Sequence, residues 1–139
     1  MSAAPQIIDV LGVDEATSEL DLLEMLRHGL PYEALERIRQ ELGLSLDELA
    51  DALAISIRTL NRRKKSETLK PDESDRIYRI ARVYAHAIDV FGSREKAANW
   101  FKRPNSSLGG VVPLEVFDTD LGAQMVDDVL TRVEFGVYS

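Results

Sequence analysis

The stretch 45–65, SLDELADALAISIRTLNRRKK, limits what this chain can fold into more than any other. Ser45 and Glu48 have the spacing of a capping box, in which each side chain satisfies a backbone N–H at the start of a helix. Leu46, Leu49, Ala50 and Leu53 then recur at helical spacing and give that helix one apolar face. Ile55 interrupts the pattern, and Ser56 is placed to cap a second helix that turns Ile57 and Leu60 inward. A small residue at Ala50 lets the two helices cross closely, as a helix-turn-helix requires. Arg58, Thr59, Asn61 and Arg62 are left facing outward, and Arg63, Lys64 and Lys65 follow them. Arginine and asparagine carry the forked donors and acceptors that match guanine and adenine edges in the major groove. The spacing therefore predicts Arg58, Asn61 and Arg62 at bases or phosphates, with Arg63, Lys64 and Lys65 as phosphate anchors. The plainer alternative is an ordinary helix pair with a solvated basic end.

That face sits on an acidic chain. The 139 residues carry a net charge of −7, so the distribution of charge matters more than its sum. Between residues 58 and 82 nine Lys and Arg face four Asp and Glu. Residues 9–24 hold six carboxylates and no base, and residues 115–139 hold six carboxylates and only Arg132. Such segregation suits one anionic partner and a separate contact made by the ends. With no cysteine there is neither a disulfide framework nor a thiolate metal site. No run approaches a membrane span, and no basic region precedes the first apolar residues, so a cytoplasmic protein without membrane contact is expected.

The rest of the chain predicts helices throughout. Residues 1–16 read as a loose arm with Ile7, Ile8, Val10 and Leu11 available to dock. A helix capped at Thr17 or Ser18 runs to about His28 with Leu20, Leu23 and Leu26 inward, and Gly29 ends it. Pro31 opens another, burying Leu35 and Ile38 up to Gly43. Residues 66–70 read as a connection and a joint. Pro71 then leads the longest helix, to about 91, with a stripe of Ile77, Ile80, Ala81, Tyr84 and Ile88. Ser93 caps a short helix in which Trp100 reads as a core anchor. The segment 103–113, RPNSSLGGVVP, is a loop in which Gly109 and Gly110 imply a positive-φ turn or a close backbone approach. A last helix, capped at Asp118, carries Leu121, Met125, Val129 and Val133, and Gly122 inside it implies a close crossing. The expected architecture is all-α, six or seven helices.

No catalytic constellation emerges. There is no G-x-S-x-G, phosphate-binding loop or H-E-x-x-H. Asp127 and Asp128 are neighbours on a helix and point apart, and neither His28 nor His86 has a ligand cluster. The chain is expected not to be an enzyme and to need neither cofactor nor metal.

In the second half TLNRRKK at 59–65, ESDRIYRIARV at 73–83 and AANWFKRPNSSLGGVVPLEVFDTDLGAQMVDDVLTRVEFGVYS at 97–139 together resemble the Xre/MbcA/ParS antitoxin family. Its most specific parts are Trp100, Pro104, Asn105, Leu108, Gly110 and Pro113, then Arg132, Glu134 and Gly136. The resemblance covers about 44–139 and leaves the N-terminal arm open. It implies an Xre-like helix-turn-helix domain followed by a small helical C-terminal toxin-binding domain. The corresponding division is an arm at 1–17, a DNA-binding region at 18–68 and an antitoxin domain at 69–139. It further implies a RES-fold toxin that consumes NAD⁺ as partner, neutralised when the antitoxin's C-terminal region covers its pocket. The complex would repress its own operon. Because a single major-groove helix binds weakly alone, a homodimer on operator DNA, within a larger toxin–antitoxin complex, is expected. Arg132, Glu134, Phe135, Gly136, Val137, Tyr138 and Ser139 are the expected toxin-binding tail, because Phe135, Val137 and Tyr138 lie past the last helix without an evident partner. A stand-alone helix-turn-helix regulator, with a ligand-sensing or dimerising C-terminal domain, is the alternative.

Overall fold

Five hydroxyl side chains set where helices begin. In the computed structural model, which describes residues 4–13, 16 and 18–136, Ser18, Ser45, Ser56, Ser93 and Thr119 each accept a hydrogen bond from the backbone N–H three residues on. Each satisfies a donor that the first helical turn leaves unpaired. Among the described residues the helices are α1 (Ala4–Leu11), α2 (Glu19–His28), α3 (Tyr32–Leu42), α4 (Leu46–Leu53), α5 (Ile57–Ser66), α6 (Pro71–Phe91), α7 (Arg94–Phe101) and α8 (Asp120–Glu134). Two 3-10 turns, Ser106–Leu108 and Pro113–Val116, interrupt the segment before α8. No strand occurs among the described residues, and none of their helices is long and apolar enough to cross a membrane.

The 21-residue α6 is the axis of the molecule. Ile77, Ile80, Ala81, Val83, Tyr84, Ala85 and Ala87 are fully buried along it, and helices from both ends of the chain pack around it. A helix enclosed on most sides must be apolar around most of its circumference, which explains why alanines fill positions the aliphatic stripe leaves. Tyr84 reaches Glu41 Oε1 at 3.1 Å and the Arg94 carbonyl at 3.3 Å. Burial, together with the Glu41 carboxylate, pushes its phenol pKa upward.

Several expectations change. The described part of 1–16 is not a loose arm: α1 buries Ile7, Val10 and Leu11, and Val13 follows them into the core. Arg94 then ties that end down by pairing with Asp9 and, at 2.8 Å, with Glu41. The connection at 66–70 is no free joint, because Leu69 N–H donates to the Leu30 carbonyl at 2.8 Å and Tyr32 N–H to the Glu67 carbonyl at 3.0 Å. Buried Ser74 completes the tie by accepting from Leu30 N–H at 2.7 Å. One hydrophobic cluster runs unbroken from Ile7 to Leu130.

The third change concerns which faces turn inward. Leu20 and Leu23 are exposed, and Leu22 is the buried residue of α2. On α8, Leu121 and Met125 are exposed while Gly122, Ala123, Val126, Val129 and Leu130 are buried. A stripe taken at every fourth residue drifts about 40° per step, since a helix turns 3.6 residues per revolution. The observed stripe alternates threes and fours and puts its smallest members at the tightest point. There a Cβ on Gly122 would lie 1.8 Å from the Val116 carbonyl oxygen, so only glycine fits. Thr119, not Asp118, caps this helix. Gly109 and Gly110 take positive φ with open space around them, a turn rather than a close approach. The centre of the aromatic cluster is Phe101, fully buried against Tyr84, Trp100 and Phe117. Trp100, expected as the anchor, is only half-buried at its edge.

Candidate functional surfaces

The turn between α4 and α5 is built from two contacts. Ala54 closes α4 in the left-handed region at φ 54°, and Ile55 N–H donates back to the Ala50 carbonyl at 3.0 Å. Arg76 of α6 donates to the Leu53 and Ala54 carbonyls at 3.0 and 3.2 Å. It supplies hydrogen bonds that the end of a helix lacks and adds a cation where the macrodipole favours one. Local spacing gave no sign of this long-range clamp. Leu49, Leu53 and Leu60 are buried where the two helices meet, and Ala50 is nearly so.

On α5, Arg58, Asn61, Arg62 and Lys65 recur at i, i+3, i+4 and i+7, so they share the face turned away from Leu60. All four are exposed, and none makes an ion pair with a described residue. Thr59 is half-buried: it exchanges hydrogen bonds with Ser56 and accepts from Arg62 Nη2 at 3.3 Å. Lys64 is exposed near the helix end, one turn past Leu60. Arg63 departs from the expectation. Its Nε donates to Glu73 Oε1 at 2.6 Å, with the side chains 14% and 7% exposed. Glu73 also accepts from Lys70 N–H at 2.9 Å. Burial would raise its carboxyl pKa, but the Arg63 and Lys70 hydrogen bonds outweigh that and hold it below the usual range. Arg63 fastens α5 onto α6 through Nε, so that nitrogen is not free for a phosphate.

At the other end of the chain, His86 Nδ1 lies 2.7 Å from Asp127 Oδ1, and its Nε2 lies 3.2 Å from Glu134 Oε1. The imidazole thus clamps the C-terminal half of α8 onto α6. Burial pulls its pKa down, while the two carboxylates push it up and prevail. Arg132 is exposed, Phe135 is 72% exposed, and Gly136 leaves the helix at φ 69° with nothing within 4 Å of a Cβ there. The structure therefore brings Glu134 to His86 and leaves Phe135 largely exposed. Val137, Tyr138 and Ser139 lie outside the described residues. No group of His, Asp and Glu suited to a metal ion occurs among the described residues.

Residues 21–82 match the family model of the antitoxin Xre-like helix-turn-helix domain, and residues 86–136 match that of the antitoxin Xre/MbcA/ParS C-terminal toxin-binding domain. The two matches divide inside α6, and α1 lies outside both. The antitoxin Xre of Photorhabdus laumondii is 37% identical over 117 residues, covering 83% of this chain and 79% of that protein. The antitoxin Xre of Yersinia enterocolitica is 32% identical over 120 residues, 85% and 81% of the two chains. More distant is a Sphingobium protein named Prs ADP-ribosylating antitoxin, 24% identical over 132 residues, 88% and 83% of the two.

Proposed function

The chain belongs to the Xre/MbcA/ParS antitoxin family, and on that premise we propose that it inhibits a RES-fold, NAD-consuming toxin by covering its active site and represses its own operon through α4 and α5. The observation that carries this reading is the pairing of two exposed surfaces on one continuous core. The first is the cationic face of α5, whose Arg58, Asn61, Arg62 and Lys65 make no ion pair with a described residue. The second is the end of α8, where Phe135 stands in solvent and Gly136 turns the backbone away.

A pocket built for NAD⁺ must offer cations or N–H donors to the pyrophosphate and flat walls to its rings. A segment that carries aromatic side chains beside carboxylates competes for both through stacking and charge-assisted hydrogen bonds. On the DNA side a single recognition helix binds weakly, so two copies on a palindrome with half-sites about 34 Å apart are expected.

The test is direct. The purified chain is titrated into a RES-fold toxin while NAD⁺ consumption is followed, and the promoter fragment of its own gene is assayed for binding at one fixed salt concentration. Stoichiometric loss of NAD⁺ consumption supports the reading. Promoter binding with no effect on the toxin would replace it with the stand-alone regulator.

A further inference from the structure

Between α6, α7 and the loop after α7 runs a groove of about 440 Å³ that the tail does not account for. Its wall is aromatic: Phe91 and Trp100, both half-buried, sit with ring centroids 5.7 Å apart. Its rim is cationic. Lys96 and Arg103 are exposed, and neither ion-pairs with any described residue. Its floor holds Asn105, which is 8% exposed. The loop fixes this side chain tightly. Asn105 Oδ1 accepts from Ser107 N–H at 2.8 Å, while the Asn105 backbone bonds to Val111 and Gly110. The Asn105 side-chain nitrogen makes no hydrogen bond to a described residue. That nitrogen is not sealed in the interior, so it opens onto the groove with its donors free. The groove therefore presents two cations, one immobilised amide donor and two rings to a ligand that supplies carboxylate oxygens and a flat or apolar group.

We propose that this groove receives a carboxylate-bearing segment of the toxin, as a second contact beside the tail; the inference rests on the toxin-binding reading above. Two observations favour the toxin as occupant. The groove lies wholly inside the region matching a toxin-binding domain. It also adjoins α8: Ser106 lines the groove, and its 3-10 turn Ser106–Leu108 packs against the helix from which the tail leaves. One partner can thus engage both. In the bound state the toxin's carboxylate meets Lys96, Arg103 and the Asn105 amide, and an apolar side chain rests against Trp100.

Trp100 is the only tryptophan in the chain, so a fluorotryptophan incorporated into this protein alone reports on the groove. Adding toxin should shift the fluorine resonance of the full-length protein and also of a form lacking 135–139. Lys96→Glu and Arg103→Glu, both on exposed side chains, should each weaken toxin binding by about tenfold or more, whereas Arg27→Glu, an equal charge change on α2, should not. If wild type binds toxin but neither the resonance nor the affinity of these variants changes, the groove inference falls and the tail reading stands. If wild type does not bind toxin, both fall. An equal shift produced by AMP alone would overturn the proposal in favour of a nucleotide site.

Discussion

Arg62 and Lys64 lie two positions apart on α5 and are expected to fail differently. Arg62 shares the outer face with Arg58, Asn61 and Lys65, so if it reads a base, Arg62→Ala loses about 1–3 kcal/mol on the operator and little on random sequence. Lys64→Ala should weaken binding evenly on all sequences and lower the salt slope by about one. Competition assays at two salt concentrations separate the two outcomes. Arg63 belongs to a third class. Removing it leaves the Glu73 carboxylate, only 7% exposed, without its cation, so Arg63→Ala should cost about 3 kcal/mol of stability. Because Glu73 titrates below its ordinary value in the folded protein, its contribution is present above about pH 4.3 and fades as pH falls through the lowered value. Thermal unfolding of Glu73→Gln should show less loss of stability in acid than wild type. Nothing in the spacing of 58–65 separates Arg63 from its neighbours. Its partner is ten residues away on another helix, and only the fold brings them together.

The caps at Ser18, Ser45, Ser56 and Ser93 were legible in the sequence, whereas the inward faces of α2 and α8 were not, and the difference is one of range. A cap such as Ser45 with Glu48 or Ser93 with Lys96 is a bond between residues three apart, so the local chain specifies it completely. Which side of α2 or α8 turns inward depends on what it meets. Val116 admits glycine at 122 and places Ala123 and Val126 inside, and this excludes the larger Leu121 and Met125 that hydrophobicity alone would choose. The hold on α8 at its far end is likewise tertiary and can be titrated. His86, between Asp127 and Glu134, has its pKa raised on folding. Its contribution is therefore complete below about pH 6.5 and lost as pH rises through the higher folded value. Wild type should lose stability across that rise, while His86→Gln should show a flatter profile. Hydrogen exchange at residues 131–135 should quicken over the same interval in wild type, as the last turn of α8 loosens.

At the scale of the whole molecule, a resemblance that began near residue 44 understated how much of the chain is one body. α1 contributes Ile7, Val10 and Leu11 to the same cluster that reaches Leu130, and α6 runs through both matched regions. Mixing of the two functional regions in one core bears on the tail. If residues 135–139 were core packing, removing them would open a cavity, and truncating one buried aromatic alone costs about 3–5 kcal/mol. Phe135 is 72% exposed and a Cβ at Gly136 would meet nothing, so their removal should leave the melting temperature within about 2 °C of wild type. Glu134 and its contact with His86 remain in the truncated chain, and α5 is untouched. Promoter binding by the truncated antitoxin with its toxin should therefore persist. On the proposed reading, in which the partner consumes NAD⁺, that consumption should instead be released, in part if the Trp100 groove still holds the partner and completely if the tail alone blocks the pocket. A truncated protein that unfolds would make the tail part of the core. One that stays folded and inhibits at full strength would move the plug elsewhere on the C-terminal region.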